Sequence, residues 1–274
     1  MDLYTKTAYE ASALITNRYS TSFSLSIRLF EKSLRPHIYA IYGLVRIGDE
    51  IVDTYMGEDA AKLLKELKID THRALKTGYS TNPIVHAFAA TARQCGIGSD
   101  LIDPFFESMA MDLSPQTYDQ EKYETYIYGS AEVVGLMCLK VFCNDDDRYE
   151  SLVAGARSLG AAYQKVNFLR DIAADTEGLG RWYFPQGSYE SFNESQKETI
   201  EKDIAKDFAG ARRAIDKLPA SSQKAVRLSW AYYHELMQKI EATPAETLKN
   251  NRVRVPNVRK AALLVATFLK GSQA

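Results

Sequence analysis

Cysteine is scarce in this sequence, with three residues, Cys95, Cys138 and Cys143, among 274. The number is odd, and the spacing shows neither CxxC nor a Cys/His metal pattern. Buried thiols in a reducing compartment are therefore expected, not a disulfide scaffold or a zinc site. Long apolar runs are also missing: none approaches the roughly 20 residues that span a bilayer. The opening stretch MDLYTKTAYEASALITNRYS lacks the basic and apolar regions of a secretory signal, which makes the cytoplasm the expected address. Charge of one sign is not in excess. The net charge of -1 gives no global attraction to nucleic acid or an acidic membrane, so any polyanion site must be a local cluster. Alternating β-branched runs bounded by Asn-Gly or Asp-Gly turns are absent, and so is a strand-associated GxGxxG.

What is present reads as helix after helix. Hydrophobic residues make up 46% of the chain and recur mainly at three- and four-residue spacing. This predicts an all-α protein of about ten helices in one domain spanning 1–274, large enough for a substantial core. Proline marks expected helix starts at Arg35-Pro36, Asn82-Pro83, Asp103-Pro104 and Val255-Pro256. The one long stretch of loop character, EGLGRWYFPQGSYESFN from Glu177 to Asn193, suggests an ordered loop or lid.

Two segments carry the chemistry. In HIYAIYGLVRIGDEIVDTY, the residues Tyr39, Tyr42, Arg46, Asp49 and Asp53 share one helical face that ends in paired carboxylates. Such a pair repels itself unless a cation or a basic residue intervenes, and Mg²⁺ suits oxygen ligands of this kind. Acidic pairs at the same spacing recur at Glu66/Asp70, Asp146/Glu150, Glu194/Glu198 and Asp203/Asp207, where solvated helix faces are expected. Asp49/Asp53 differs in having apolar residues and tyrosines around it. In LGAAYQKVNFLRDIAADTEGLGRWYFP, Gln164, Asn167, Asp171 and Asp175 again interrupt an apolar helix, with Arg170 adjoining. Burying these groups unpartnered would cost several kcal/mol, so they must face a wet cavity or satisfy one another around a ligand. Two such helices across a bundle would set Asp49, Asp53, Asn167, Asp171 and Asp175 around a common cavity suited to a metal-bridged diphosphate.

At these residues the sequence resembles the squalene/phytoene synthase family, whose acidic motifs are DExxD and NxxRDxxxD. Here they read Asp49-Glu50-Ile51-Val52-Asp53 and Asn167 to Asp175. Further similarities follow in order: Tyr19-Ser20-Thr21-Ser22-Phe23, Tyr42 and Arg46, Met111-Asp112-Leu113, Tyr128-Gly129, Gly180-Arg181-Trp182-Tyr183-Phe184-Pro185, Tyr233 and Arg252. The resemblance runs from about Tyr19 to Arg259. One departure stands out: where the family reads AGTVG, this chain has Ser130-Ala131-Glu132-Val133-Val134-Gly135, with an acid in place of a small residue. The same stretch and the adjoining VVGLMCL resemble a bacterial carotenoid-forming branch.

The resemblance implies an isoprenoid-synthase helical bundle around a central apolar cavity. It also implies an Mg²⁺-dependent prenyltransferase, with Mn²⁺ as a substitute and no NADPH. Two prenyl diphosphates would condense head to head through a cyclopropylcarbinyl diphosphate, two geranylgeranyl diphosphates giving phytoene. On this view Asp49, Asp53, Asn167, Asp171 and Asp175 hold metal. Tyr42, Arg46, Tyr128, Gln164, Arg170 and Tyr233 act in catalysis, and Ser20, Ser22, Phe23, Ile27, Arg181 and Arg252 bind substrate. No obligate protein partner and no nucleic acid are expected; peripheral contact with the inner face of the membrane would help release an oily product. The competing readings are a C30 synthase using farnesyl diphosphate, a one-substrate terpene cyclase, and a non-catalytic helical assembly factor.

Overall fold

A computed structural model describes residues 1–55, 57–114, 117–143 and 145–270. Thirteen α-helices are present among them: α1 (Leu3–Tyr19), α2 (Thr21–Ile27), α3 (Arg35–Asp49), α4 (Ala60–Thr77), α5 (Pro83–Cys95), α6 (Ser99–Met111), α7 (Gln120–Ile127), α8 (Val133–Phe142), α9 (Asp146–Ala173), α10 (Glu194–Ile215), α11 (Ala220–Glu241), α12 (Ala245–Leu248) and α13 (Asn257–Lys270). Among the described residues there is no strand, only an isolated bridge between Thr117 and Trp182.

Local chemistry sets many of the boundaries. Asn82 accepts from the Ile84 amide ahead of Pro83, and Asn193 with Gln196 forms a capping box on α10. Asp145 accepts from the Arg148 amide at 2.7 Å to start α9, whose 28 residues give a rod of roughly 42 Å. Pro83 is the first residue of α5 and Pro36 the second of α3, and α13 begins directly after Pro256. Pro104 departs from expectation, because α6 starts at Ser99 and carries this proline inside it. The ring removes one backbone donor, a defect the packed helix absorbs.

Three turns widen to π-helical geometry, at Glu50–Tyr55 after α3, Tyr128–Glu132 between α7 and α8, and Ala174–Gly178 after α9. Each coincides with a motif singled out in the sequence, and π turns gather at functional sites in proteins generally. Gly129 makes the second possible: a Cβ there would lie 2.1 Å from the Pro104 carbonyl oxygen, so α6 approaches a bare backbone.

Two large apolar clusters form most of the core, beside a small one of Ala8, Tyr9, Ala40 and Ala87. One joins α3 to α6, α8 and the first half of α9, with Phe88, Phe105 and Leu152 fully buried. The other joins the second half of α9 to α10, α11, α12 and the Tyr183, Phe184 and Phe192 rings of the 179–193 loop. Of the acids expected on a solvated face, Asp203 is half exposed and Asp207 largely covered, and both accept from Lys165, pinning α10 to α9. A cavity remains between the two clusters.

Candidate active site

The cavity has a volume of about 650 Å³ and a clear polarity along its length. Along α3 its wall runs from Ile38 and Ile41 through Tyr42, Val45 and Arg46 to Asp49 and then Asp53 in the π turn. Along α9 it runs from Leu152 through Gly155, Leu159, Tyr163, Gln164 and Asn167 to Asp171 and then Asp175. The acids therefore share one end, and the other is closed by apolar side chains including Phe30, Leu139, Phe142 and Ile215. Phe30 and Phe142 stack there with centroids 5.1 Å apart.

At the mouth every motif acid has a guanidinium or another carboxylate for company. Arg46 lies 4.0 Å from Asp49 and bonds Glu50 at 2.5 Å, its guanidinium 4.4 Å from the centroid of the Tyr19 ring. Asp171 receives Arg170 at 2.5 Å and Arg252 at 2.6 Å. Arg181 donates to Asp53 at 2.6 Å. The Asp49 carboxyl is pushed up to about 7, by burial first and then by Asp53. The Asp175 carboxyl is likewise pushed up to about 7 by burial, then by Asp171 and by Asp53, so the two acidic segments feel each other across the mouth. Burial also lifts the Tyr42 hydroxyl to about 12 and raises Tyr233, with Arg170 and Asn167 opposing the rise at Tyr233.

Of the seventeen side chains given a metal, catalytic or substrate role from the sequence, fifteen meet in this wall: Ser20, Phe23, Ile27, Tyr42, Arg46, Asp49, Asp53, Gln164, Asn167, Arg170, Asp171, Asp175, Arg181, Tyr233 and Arg252. Ser22 and Tyr128 are not among the lining residues. Ser22 is one turn before Ser26, whose hydroxyl donates to its carbonyl. Tyr128 packs on the first apolar cluster with the Arg157 guanidinium 5.2 Å from its ring centroid. Ser20 doubles as the N-cap of α2, accepting from the Phe23 amide at 3.2 Å. Arg181 is buried, with most of its donors already committed to protein oxygens. Glu132 lies outside the wall and pairs with Arg157 at 2.5 Å, while Ala131, Val134 and Gly135 line the cavity.

The structure adds residues that motif reading did not select. Tyr163 stacks face to face on Tyr233 at 3.8 Å and donates to Ser229 at 2.8 Å; both rings flank Phe23 in the wall. Its only sequence signal was its place on the α9 face, one residue before Gln164. Tyr126 also lines the mouth, beside Asp112 and Tyr183, which the motif similarities contain but to which no site role was given.

The donor set suits a hard divalent cation. It offers oxygen alone, and the Asn167 Oδ1 atom is buried against the cavity without a hydrogen-bond partner. Among the described residues no three carboxylate, imidazole or thiolate side chains converge closely enough to hold an ion by themselves. The acids stand instead as separate groups, leaving a metal shell to be completed by ligand oxygens, as Mg²⁺ commonly requires.

Comparison with known proteins places this geometry. The squalene/phytoene synthase family model matches residues 16–259. A 4,4'-diapophytoene synthase of Staphylococcus haemolyticus is 28% identical over 73% of this chain and 70% of its own. A 15-cis-phytoene synthase of Synechococcus elongatus is 29% identical over 97% of this chain and 94% of its own. Among solved structures, a ligand-bound dehydrosqualene synthase superposes with a TM-score of 0.82 at 19% identity, covering 98% of each chain, which shows a shared fold.

Proposed function

The chain belongs to the squalene/phytoene synthase family, and from that premise we propose that it condenses two geranylgeranyl diphosphates head to head to phytoene. The observation that carries this reading is the polarity of the cavity, with two acidic segments at its mouth and a closed apolar depth. Such a site admits a charged headgroup at one end and an oily tail at the other.

Asp49, Asp53, Asn167, Asp171 and Asp175 would hold Mg²⁺, or Mn²⁺ in its place. Bound there with substrate, the metal would draw charge from the departing diphosphate. The remaining work falls to the chain. Arg46, Arg170 and Arg252 bring guanidinium forks to the mouth, where they can release a carboxylate and donate to diphosphate oxygens. The rings of Phe23, Tyr42, Tyr163 and Tyr233 cluster in the wall next to the acids, aromatic surroundings that would steady an allylic cation. The apolar depth excludes water, which would otherwise quench that cation.

The depth has room for the longer substrate. Asp171 and Leu152 lie nineteen residues apart on α9, which is roughly 28 Å of wall at 1.5 Å per residue. A prenyl chain extends by roughly 5 Å per five-carbon unit, given C–C bonds of about 1.5 Å. A twenty-carbon tail, four such units or roughly 20 Å, therefore fits within this wall with its headgroup at the acids, and a fifteen-carbon tail, roughly 15 Å, reaches less of the apolar depth.

Purified protein incubated with geranylgeranyl or farnesyl diphosphate, with and without NADPH, tests the reading. Expected are pyrophosphate release that requires Mg²⁺ or Mn²⁺ and a C40 hydrocarbon formed without NADPH. Exclusive C30 product would overturn the substrate assignment, and absence of pyrophosphate release would favour a non-catalytic role. Asp49→Ala and Asp171→Ala should each abolish turnover with helical circular dichroism preserved; full activity of either variant, or of wild type in EDTA, would exclude the metal role.

A further inference from the structure

Arg181 sits at the centre of a buried network. Its side chain is 7% exposed. Nη1 donates to Asp53 Oδ1 at 2.6 Å, and Nη2 donates to the carbonyls of Val52 at 2.7 Å and Asp112 at 2.9 Å. Nε lies 3.7 Å from Asp112 Oδ1. The Asp112 side chain is only 3% exposed. Its Oδ2 accepts from the Tyr126 hydroxyl at 2.6 Å and its Oδ1 from the Tyr183 hydroxyl at 2.9 Å. The two phenol rings pack 4.9 Å apart, and Tyr183 stacks on Phe168 at 4.2 Å. This carboxylate is held in place from two sides, whereas Asp53, 40% exposed, stands at the open mouth.

The two acids thus hold one guanidinium under unequal constraint. We propose that Asp112 is a positioning residue whose fixed charge keeps Arg181 neutralised when Asp53 turns to a cation arriving with a diphosphate. The proposal rests on the diphosphate role given above to the mouth. A buried guanidinium with no carboxylate is strongly disfavoured. Without Asp112, Asp53 would be the only carboxylate on Arg181, and any cation would have to compete with that ion pair. With Asp112 in place, the guanidinium keeps its two carbonyls and a carboxylate 3.7 Å away, and Asp53 is free to change partners. Asp112 does not take the cation itself, because each of its oxygens is already directed to a phenol.

Equilibrium binding of inorganic pyrophosphate to the full chain, titrated calorimetrically at several Mg²⁺ concentrations, tests this. Asp112→Asn preserves size and should weaken Mg²⁺-dependent pyrophosphate binding at least about tenfold, the order expected for unbalancing a buried charge pair. In an Arg181→Gln background the same substitution should change binding less than about twofold, since the coupling disappears with the guanidinium. An unchanged affinity in Asp112→Asn, or an equal loss in both backgrounds, would overturn the proposal while leaving the diphosphate reading intact. Wild type that binds no pyrophosphate at any Mg²⁺ concentration would overturn both. Should Asp112→Asn fail to fold, Tyr183→Phe loosens the same carboxylate; it should weaken binding only when Arg181 is present, and equal loss in both backgrounds counts against the proposal.

Discussion

Burial first, then repulsion from neighbouring carboxylates, pushes the Asp49 and Asp175 carboxyls up to about 7, well above the 3.8 of a free aspartate. Between those two values the folded protein binds protons that the unfolded chain has already lost. Stability contributed by these sites is therefore greatest below about pH 4 and declines as pH rises through about 7. Asp49→Asn removes the titration at that position. Without divalent metal it should melt close to wild type at pH 5 and above it at pH 8, in thermal melts followed by circular dichroism. A melting difference independent of pH would show that Asp49 is not held protonated by its surroundings. Added Mg²⁺ should raise the wild-type melting temperature most above pH 7, where the carboxylates are free to bind it, and should do less for Asp49→Asn.

At the scale of elements, the device that builds the mouth is the π turn. Asp53 and Asp175 both lie in π turns that directly continue α3 and α9, and Gly180 follows the second of them. Gly180 has a φ of 67°, a left-handed conformation that reverses the chain and aims Arg181 back toward Asp53. Nothing lies within 4 Å of a Cβ placed there, so the requirement comes from the backbone alone. Gly180→Ala should cost about 1 kcal/mol of stability, the usual penalty of a side chain at such a position. It should also weaken pyrophosphate binding by misplacing Arg181; urea melts and calorimetry measure the two effects, and no change in either would show that the turn tolerates a side chain. The helical class was legible from apolar spacing, though about ten helices were expected and thirteen are described, and prolines marked the starts of α3, α5 and α13. The π turns were not, because a single extra residue in a turn leaves no compositional mark, and Pro104 misled because packing overrode its local preference for a first turn.

For the whole molecule, the quantity that decides function is the depth of the cavity. Ile27 is 2% exposed and lies one turn beyond Phe23 in the α2 wall, with the Phe30 and Phe142 stack forming part of the apolar lining. Ile27→Phe or Ile27→Trp should shorten the space available and shift preference from geranylgeranyl to farnesyl diphosphate. Competition between the two substrates, read as the ratio of C40 to C30 hydrocarbon, measures this, and an unchanged ratio would remove Ile27 from the specificity wall. Sequence alone determined the all-α class, the family and the positions of the motif acids, because helical periodicity and carboxylate spacing are local properties of the chain. Only the tertiary structure decided that Ser22 and Tyr128 stand outside the cavity wall, that Glu132 pairs with Arg157, and that Tyr163 stacks on Tyr233. It also committed Arg181 to Asp53 and Asp112, residues separated from it by 128 and 69 positions. Spacing along one helix specifies which face a side chain occupies; what that face meets depends on how distant helices pack, and no local pattern encodes it.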